Sequence, residues 1–455
     1  MEKTIAAIST APAPGGIGIV RISGGEAFAV AEKVFRGVSG KKLSQMKGYT
    51  AQLGGAYTPA GEKLDDVVAL VYRGPKSYTG EDVVELSCHG GLYMTKRLLQ
   101  LVLDAGAAPA GPGEFTRRAF LNGKMDLAQA EAVMGLISAS GEQARKAALA
   151  GSTGVLSKKI ESIKQRLLEQ AAHLAAWADF PEEDVPQVEE AALLEGIRQG
   201  EKALEELLQG FDRGRMYREG LVTVIAGRPN AGKSTLMNLL SGCQRSIVTQ
   251  YAGTTRDVVE ETVMVAGVPL RLADTAGIRD TDDPVESIGV QAARQRLETA
   301  QLVLAVFDSS QALEKEDWEL MDALEKVPAI AIVNKSDLPT RMDVEAIQKR
   351  FEKTVSLSAA TGEGLAALEQ ALSEILDTKD FHPQEGVLFT QRQRMDAQTA
   401  LDSLREGEQA LVLGLTLDAV TVCVEDALHA LAALTGEQVS EEIVDRVFEE
   451  FCVGK

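Results

Sequence analysis

A strand that must turn through a glycine-bracketed loop into a helix constrains this chain more than any other feature. Leu221-Val-Thr-Val-Ile-Ala226 is an apolar run of strand length, Gly227-Arg-Pro-Asn-Ala-Gly-Lys-Ser234 follows it, and Thr235-Leu-Met-Asn-Leu-Leu240 has helical spacing. The pattern predicts a phosphate-binding P-loop. Gly227 and Gly232 let successive backbone N–H groups point inward at a helix N-terminus, whose dipole also favours an anion. Lys233 is placed to reach the β- and γ-phosphates, and the hydroxyl of Ser234 suits Mg²⁺, which prefers oxygen ligands. An ordinary glycine-rich turn is the plain alternative, and the order strand, loop, Lys-Ser, helix argues against it.

A P-loop does not choose between nucleotides, but three downstream stretches do. Asp274-Thr275-Ala276-Gly277 follows the strand-like Leu270-Arg-Leu-Ala273, offering a carboxylate beyond the Mg²⁺ ligands and a glycine N–H for a γ-phosphate. Asn334-Lys335-Ser-Asp337 follows the apolar Ala329–Val333. Asp337 can accept two hydrogen bonds from guanine N1 and N2, a pattern adenine does not offer, while Asn334 and Lys335 support ring and loop. Ser358-Ala359-Ala360, before Thr361-Gly-Glu-Gly364, has the form of a final base-contacting loop. Each tetrapeptide alone would pass as a turn. Their order after Lys233 implies a GTPase. The candidate GTP contacts are therefore Asn230, Ala231, Gly232, Lys233, Ser234 and Thr235 of the P-loop with the three stretches above. A switch-type segment, Val248-Thr249-Gln250-Tyr251-Ala252-Gly253-Thr254-Thr255-Arg-Asp257, adds Thr249–Thr255, with Thr255 as second Mg²⁺ ligand. Ras-type enzymes orient the attacking water with a glutamine just after Asp-x-x-Gly, but Ile278 stands there.

The remainder reads as two other kinds of structure. Residues 1 to about 118 mix short β-type runs (Ile17–Ile22, Val67–Tyr72, Val83–Leu86) with glycine-rich turns and a helical Met94–Asp104, implying a small α+β domain. In it Glu85 falls on a strand and Cys88-His89 at a turn, where a structural role is expected because no base, orienting acid or second metal pair is identifiable nearby. Beyond it, Leu127, Ala130, Met134 and Ile137 form a helical stripe behind an Asp126 cap. Leu156, Ile160, Ile163, Leu167, Gln170, Leu174 and Trp177 then recur in steps of four and three, a bundle seam with one polar member. A second helical region runs from Arg392 to Glu450. Helices on both sides of the P-loop segment suggest one bundle with a nucleotide domain inserted: 1–118 α+β, 119–215 helical, 216–378 P-loop domain, 379–455 helical. The fold class is multidomain α/β plus α.

Composition excludes more than it assigns. Lys and Arg total 47 against 67 Asp and Glu, a net charge of −20, so no broad basic face for nonspecific nucleic-acid binding is expected. Four scattered cysteines (Cys88, Cys243, Cys423, Cys452) build neither a disulfide framework nor a paired-cysteine zinc site, which fits a reducing, cytoplasmic setting. Ala410–Val424 is the longest weakly charged stretch and is too short to span a bilayer, so no membrane segment is expected.

Gly-Arg-Pro-Asn-Ala-Gly-Lys-Ser, Ala-Gly-Thr-Thr-Arg-Asp, Asp-Thr-Ala-Gly and Asn-Lys-Ser-Asp, with a chain ending Phe451-Cys-Val-Gly-Lys455, resemble the MnmE (TrmE) family of tRNA modification GTPases. Gly80-Glu-Asp-Val-Val-Glu85, Cys88-His-Gly-Gly91, Gly113-Glu-Phe-Thr-Arg-Arg-Ala-Phe-Leu-Asn-Gly-Lys124 and Asp126-Leu-Ala-Gln-Ala-Glu-Ala132 extend the resemblance over essentially the whole chain. It implies a K⁺-dependent GTPase in which Asn230, Thr249, Tyr251 and Thr254 hold K⁺ where an arginine finger would otherwise act, with Glu286 as the catalytic acid that handles water. Read without it, Glu286 is a solvated surface acid. The resemblance further implies a homodimer through the N-terminal domains, G domains that pair between subunits during hydrolysis, and a tetrahydrofolate site on Arg21, Glu85, Lys124 and Lys455. The folate would be the 5,10-methylene or 5-formyl derivative. With an FAD-containing partner, MnmG, such proteins place an aminomethyl-type group on C5 of the wobble uridine of certain tRNAs.

Cys452, three residues from Lys455, is by position alone either a frayed terminal thiol or a functional one, and the resemblance favours a functional thiol near the folate. A GTP-dependent RNA-binding or ribosome-assembly switch without modification chemistry is the competing reading. No KH or other RNA-binding appendage is recognisable to support it.

Overall fold

The computed structural model describes residues 3–179, 189–243, 261–272, 300–376, 382–449 and 451–454. The chain packs as two compact units, one of Met1–Met134, Ser157–Gly200 and Met395–Lys455, the other of Gly135–Leu156 and Glu201–Arg394.

Among the described residues the first unit holds seven strands: β1 Ile5–Ile8, β2 Ile17–Ser23, β3 Phe35–Gly37, β4 Thr50–Tyr57, β5 Lys63–Tyr72, β6 Val83–His89 and β7 Ala108–Pro109. They form one sheet in the order β3-β4-β5-β6-β2-β1-β7, antiparallel except where β7 joins β1. Period-two alternation sorts its faces. Val20 and Ile22 of β2, Val67, Ala69 and Val71 of β5 and Val84, Leu86 and Cys88 of β6 point into a core closed by helices Ala27–Val34 and Leu92–Asp104. The second helix lies so close that a Cβ at Gly18 would sit 2.1 Å from Thr95 Cγ2. Arg21 and Glu85 fall on the opposite face by the same alternation.

The helical stripes fold largely as the spacing predicts. Asp126 and Gln129 cap helix Leu127–Ser138 reciprocally, Gln129 N donating to Asp126 Oδ1 at 2.8 Å and Asp126 N to Gln129 Oε1 at 2.9 Å. Leu127 and Ala130 are buried, whereas Ile137, one residue before the helix ends at Ser138, is 37% exposed. Along helix Val155–Asp179, Leu156, Ile160, Ile163, Leu167 and Leu174 are buried, and each such aliphatic side chain stabilises by about 1.5–3 kcal/mol relative to exposure. Gln170 fits the seam because Gly196 faces it: a Cβ there would stand 1.5 Å from Gln170 Nε2. The Trp177 side chain lies outside the described residues.

The C-terminal segment is docked rather than frayed. Phe448 and Phe451 pack in a cluster with Leu127 and Ala130, beside Gly113, whose φ of 60° and crowding at 2.7 Å from Phe448 O leave no room for a side chain. Val453 bridges Pro112 in antiparallel fashion, and Ser9 Oγ donates to Gly454 O at 3.1 Å.

The second unit contains β8 Leu221–Ala226, β9 Glu261–Val265, β10 Val268–Leu272, β11 Leu302–Asp308, β12 Ala329–Asn334 and β13 Lys353–Ser356, in the order β13-β12-β11-β8-β10-β9. Only the β9–β10 hairpin is antiparallel, turned at Ala266 and Gly267, both at positive φ. Every residue of β11 is buried, as suits a central parallel strand covered on both faces. Helices Lys315–Ala323 and Val344–Gln348 supply Met321 and Ile347 to the core beside Val303, Ala305 and Phe307. With β10 on one side of β8 and β11 on the other, β8 stands where the strand order reverses, and ligands of such sheets bind beyond the carboxyl ends of strands at that point.

Candidate functional site

The glycine-bracketed loop follows the carboxyl end of β8. β8 ends at Ala226 and helix Lys233–Cys243 starts seven residues later, so six loop residues lead into a helix N-terminus, whose unpaired N–H groups and dipole favour an anion. Gly227, at φ 155°, sits where a Cβ would be 2.3 Å from Val306 O, and Gly232, at φ 99°, where one would be 2.1 Å from Asn334 Nδ2. Asn230 adopts the left-handed conformation, φ 60°. Lys233 Nζ donates to the carbonyls of Gly227 and Arg228 at 2.8 and 2.7 Å, which arches the loop around its own lysine.

One buried amide joins the separate motifs. Asn334 Nδ2 donates to Ala231 O at 2.8 Å, and Asn334 Oδ1 accepts from Ala359 N at 3.0 Å, so the P-loop, the end of β12 and the 358–360 loop are locked together. Ser358, fully buried, donates through Oγ to Asp337 Oδ1 at 2.6 Å and accepts from Thr361 N at 3.3 Å, which aims one carboxylate edge and leaves Asp337 otherwise exposed. Ser234 and Thr235 are exposed at the first turn of the helix. The loop therefore has no room for a Cβ at Gly227 or Gly232, and an exposed hydroxyl at Ser234 and the carboxylate of Asp337 held by Ser358 stand on the elements it joins.

Two supports escaped the sequence reading. Arg228 of the loop is anchored to the N-terminus of helix Lys315–Ala323, its Nε 2.9 Å from Asp317 Oδ2 and one terminal nitrogen 2.7 Å from Glu314 Oε1. Asp308, 4% exposed at the end of β11, accepts from Lys335 Nζ at 2.7 Å. Burial pushes its carboxyl up, but the bonds from Lys335 and Ser310 outweigh that and hold it below the ordinary carboxylate value. Asp308 lies in no motif, and a carboxylate ending an otherwise apolar strand was its available signal; Arg228 lies within the Gly227–Ser234 stretch, but its partners on a helix far along the chain leave no trace in the spacing. Thr249, Gln250, Tyr251, Ala252, Gly253, Thr254, Thr255, Asp274, Thr275, Ala276, Gly277, Glu286 and Lys455 lie outside the described residues.

The first unit holds a second cluster of charged and aromatic side chains. Arg21 and Glu85 are cross-strand partners on β2 and β6, joined by Arg21 Nε to Glu85 Oε1 at 2.9 Å and a terminal nitrogen to the same oxygen at 2.8 Å. They line a cavity of about 250 Å³ with Tyr72, Tyr78, Val83 and Val133. The guanidinium lies 5.8 and 5.6 Å from the ring centroids of Tyr78 and Phe115. Burial raises the Tyr78 hydroxyl, opposed by its hydrogen bond with Thr116, and burial with the adjacent Glu85 raises Tyr72. Both phenols are neutral partners at neutral pH. Lys124 is not among the lining residues; its Nζ donates to Pro75 O at 3.0 Å.

Cys88 and His89 end strand β6 rather than forming a turn. Cys88 is buried, which together with the nearby Asp65 charge pushes its thiol up to about 11, far from a nucleophile at neutral pH. His89 does have an orienting acid: Asp65 accepts from its backbone N at 2.9 Å and pairs with Nδ1 at 2.7 Å, a cross-strand contact that spacing alone does not reveal. Cys452 is partly exposed, and its carbonyl accepts from Gly113 N at 3.4 Å. No described group of three or more His, Cys, Asp or Glu side chains could hold a metal, and no described helix is long and apolar enough to cross a membrane.

A phosphate loop tied through one asparagine to a base-type Asn-Lys-Ser-Asp turn, on a sheet of this order, defines a P-loop GTPase: a GTP-binding, GTP-hydrolysing enzyme. Residues 4–124 match the family described as "GTP-binding protein TrmE N-terminus" and residues 127–452 the family described as "MnmE helical domain". The tRNA modification GTPase MnmE of Symbiobacterium thermophilum is 45% identical over 457 residues and that of Alkaliphilus oremlandii 43% over 459, each covering all of both chains. Among solved structures, a single-residue variant of Aquifex aeolicus Era bound to GDP·AlF4⁻ is 27% identical, with 42% of this chain and 67% of that one covered at a TM-score of 0.28. The chain belongs to the MnmE family of tRNA modification GTPases.

Proposed function

We propose that this enzyme hydrolyses GTP to drive modification of C5 of the wobble uridine in certain tRNAs, working as a cytoplasmic homodimer with an FAD-containing partner of the MnmG type. The observation that carries this reading is the likeness to tRNA modification GTPases along the entire chain, N-terminal and helical parts included, rather than in the nucleotide motifs alone. The domains proposed are 1–118, 119–215, 216–378 and 379–455, with the third inserted between two helical parts.

In the nucleotide site, Lys233 and the loop amides meet the β- and γ-phosphates, and Asp337 takes guanine N1 and N2 while Asn334, Lys335 and Ser358–Ala360 hold the base loop. Ser234 and Thr255 are the proposed Mg²⁺ ligands; the exposed hydroxyl at the helix start suits that oxygen-seeking ion. Asn230, Thr249, Tyr251 and Thr254 are the proposed K⁺ ligands. Asn230, left-handed in backbone and exposed, offers a short amide side chain with a carbonyl oxygen at the loop crest. When bound, K⁺ supplies the positive charge an arginine finger gives other GTPases, and Glu286 replaces the missing glutamine in holding water.

The Arg21–Glu85 cavity is the proposed folate site. Its paired guanidinium and carboxylate, flanked by two aromatic rings, offer hydrogen bonds and a stacking surface of the kind a pterin requires. Lys124, Lys455 and a functional Cys452 thiol complete the proposal.

Nucleoside analysis of tRNA after deletion of the gene tests the reading: loss of the C5 substituent is expected, whereas intact wobble uridine with accumulated ribosome precursors would favour an assembly switch instead. Hydrolysis should also be faster in K⁺ than in Na⁺ at equal ionic strength, and equal rates would remove the K⁺ ligands from the scheme.

A further inference from the structure

Asp308-Ser309-Ser310, which no nucleotide motif includes, forms a seat for the Asn334–Lys335 turn. Ser309 N donates to Asn334 O at 3.0 Å, and Ser309 Oγ donates to Lys335 O at 2.9 Å. Asp308 takes the Lys335 ammonium at 2.7 Å while Ser310 N and Oγ, at 2.9 and 2.6 Å, hold the carboxylate from the other side. Lys335 is at φ 61°, a left-handed conformation that is unfavourable for a non-glycine residue and persists where its surroundings impose it. All the other β11 residues are apolar and buried, so packing alone calls for no charge at position 308.

We propose that Asp308 is a positioning residue for guanine recognition, acting through Lys335. By drawing the ammonium back onto β11 it leaves the methylene stem of Lys335, instead of its hydrated charge, to meet the purine held by Asp337. Ser309 fixes the backbone of the same turn. The proposal rests on the reading of Asn334–Asp337 as the base-contacting turn.

The test is a double-mutant cycle in the full-length protein, with mant-GDP affinity read by fluorescence and folding by thermal unfolding. Asp308→Asn should weaken mant-GDP about tenfold, the scale of a lost charge-assisted hydrogen bond. Lys335→Met should weaken it as well, and the double variant should bind within about twofold of Lys335→Met, since the carboxylate has no route to the base except through that lysine. A lowered melting temperature with affinity unchanged would overturn the proposal, as would single effects that multiply in the double variant. Should Asp308→Asn not fold, Ser310→Ala removes one support of the carboxylate while keeping its charge; it should weaken binding about threefold and couple to Lys335 in the same way, and an additive or absent effect would refute the proposal. Asp337→Asn separates the two levels. If it and Lys335→Met bind mant-GDP like the unaltered protein, the base-contact reading itself fails; if they weaken binding and Asp308→Asn does not, only the role of Asp308 fails.

Discussion

The nucleotide cradle and the Arg21–Glu85 cavity are built on opposite plans. In the cradle, recognition comes from backbone conformation: two glycines with no room for a Cβ, a left-handed Asn230, and an amide that bonds to two loops at once. The cavity is lined instead by side chains projected from neighbouring strands, with Arg21 and Glu85 paired across β2 and β6 and Tyr72 contributed by β5. A backbone site tolerates almost no substitution at its turns yet needs few special side chains. A cross-strand site keeps its shape when one side chain is trimmed and loses chemistry instead.

That contrast sets the order of expected effects. Lys233→Ala should reduce GTP turnover at least about a thousandfold, measured as phosphate release, because the loss falls on charge developing at the transferred phosphoryl group; a loss under about tenfold would break the cradle assignment. Gly232→Ala comes next. Its Cβ would meet Asn334 Nδ2 at 2.1 Å from a backbone at φ 99°, so about 1–3 kcal/mol of stability should vanish together with nucleotide affinity. Glu85→Ala should weaken binding of a tetrahydrofolate derivative about tenfold or more by stranding the Arg21 guanidinium, while GTP turnover stays within about twofold; parallel losses in both would show that the two sites are not separable. The smallest effect is one of pH. Because the folded carboxyl of Asp308 is held below its ordinary value, the stability it contributes is present above about pH 4 and fades as pH falls through the folded value. Urea midpoints of the unaltered protein and Asp308→Asn should therefore converge in acid, and a gap constant down to acid pH would place the effect elsewhere.

The same contrast separates the features that the sequence displays by itself from those that only the fold brings together. The P-loop, Asn334–Asp337 and Ser358–Ala360 were legible because each is a contiguous stretch whose chemistry is local. The Asp126 cap and the Leu156–Leu174 seam were legible because capping and helical period are local too. Asp308, the Arg228–Asp317 pair and the Asp65–His89 pair were not, since each depends on strand register or on a helix terminus brought in from far along the chain. Arg21 and Glu85 were reachable only by resemblance: spacing gives no hint that residues so distant in sequence share a cavity. The docked tail belongs to the same class. A terminal Phe451-Cys452-Val453-Gly454 looks frayed until Pro112, Gly113 and Ser9 are seen to receive it.

If the two sites serve one reaction, disabling either must abolish it. The most direct measurement is nucleoside analysis of tRNA from a deletion strain carrying Lys233→Ala, Arg21→Ala or Cys452→Ser, with GTP turnover of each purified protein determined alongside. All three strains should lack the C5 substituent on wobble uridine, although Arg21→Ala and Cys452→Ser still hydrolyse GTP; normal modification in the Lys233→Ala strain would contradict the coupling of hydrolysis to modification outright.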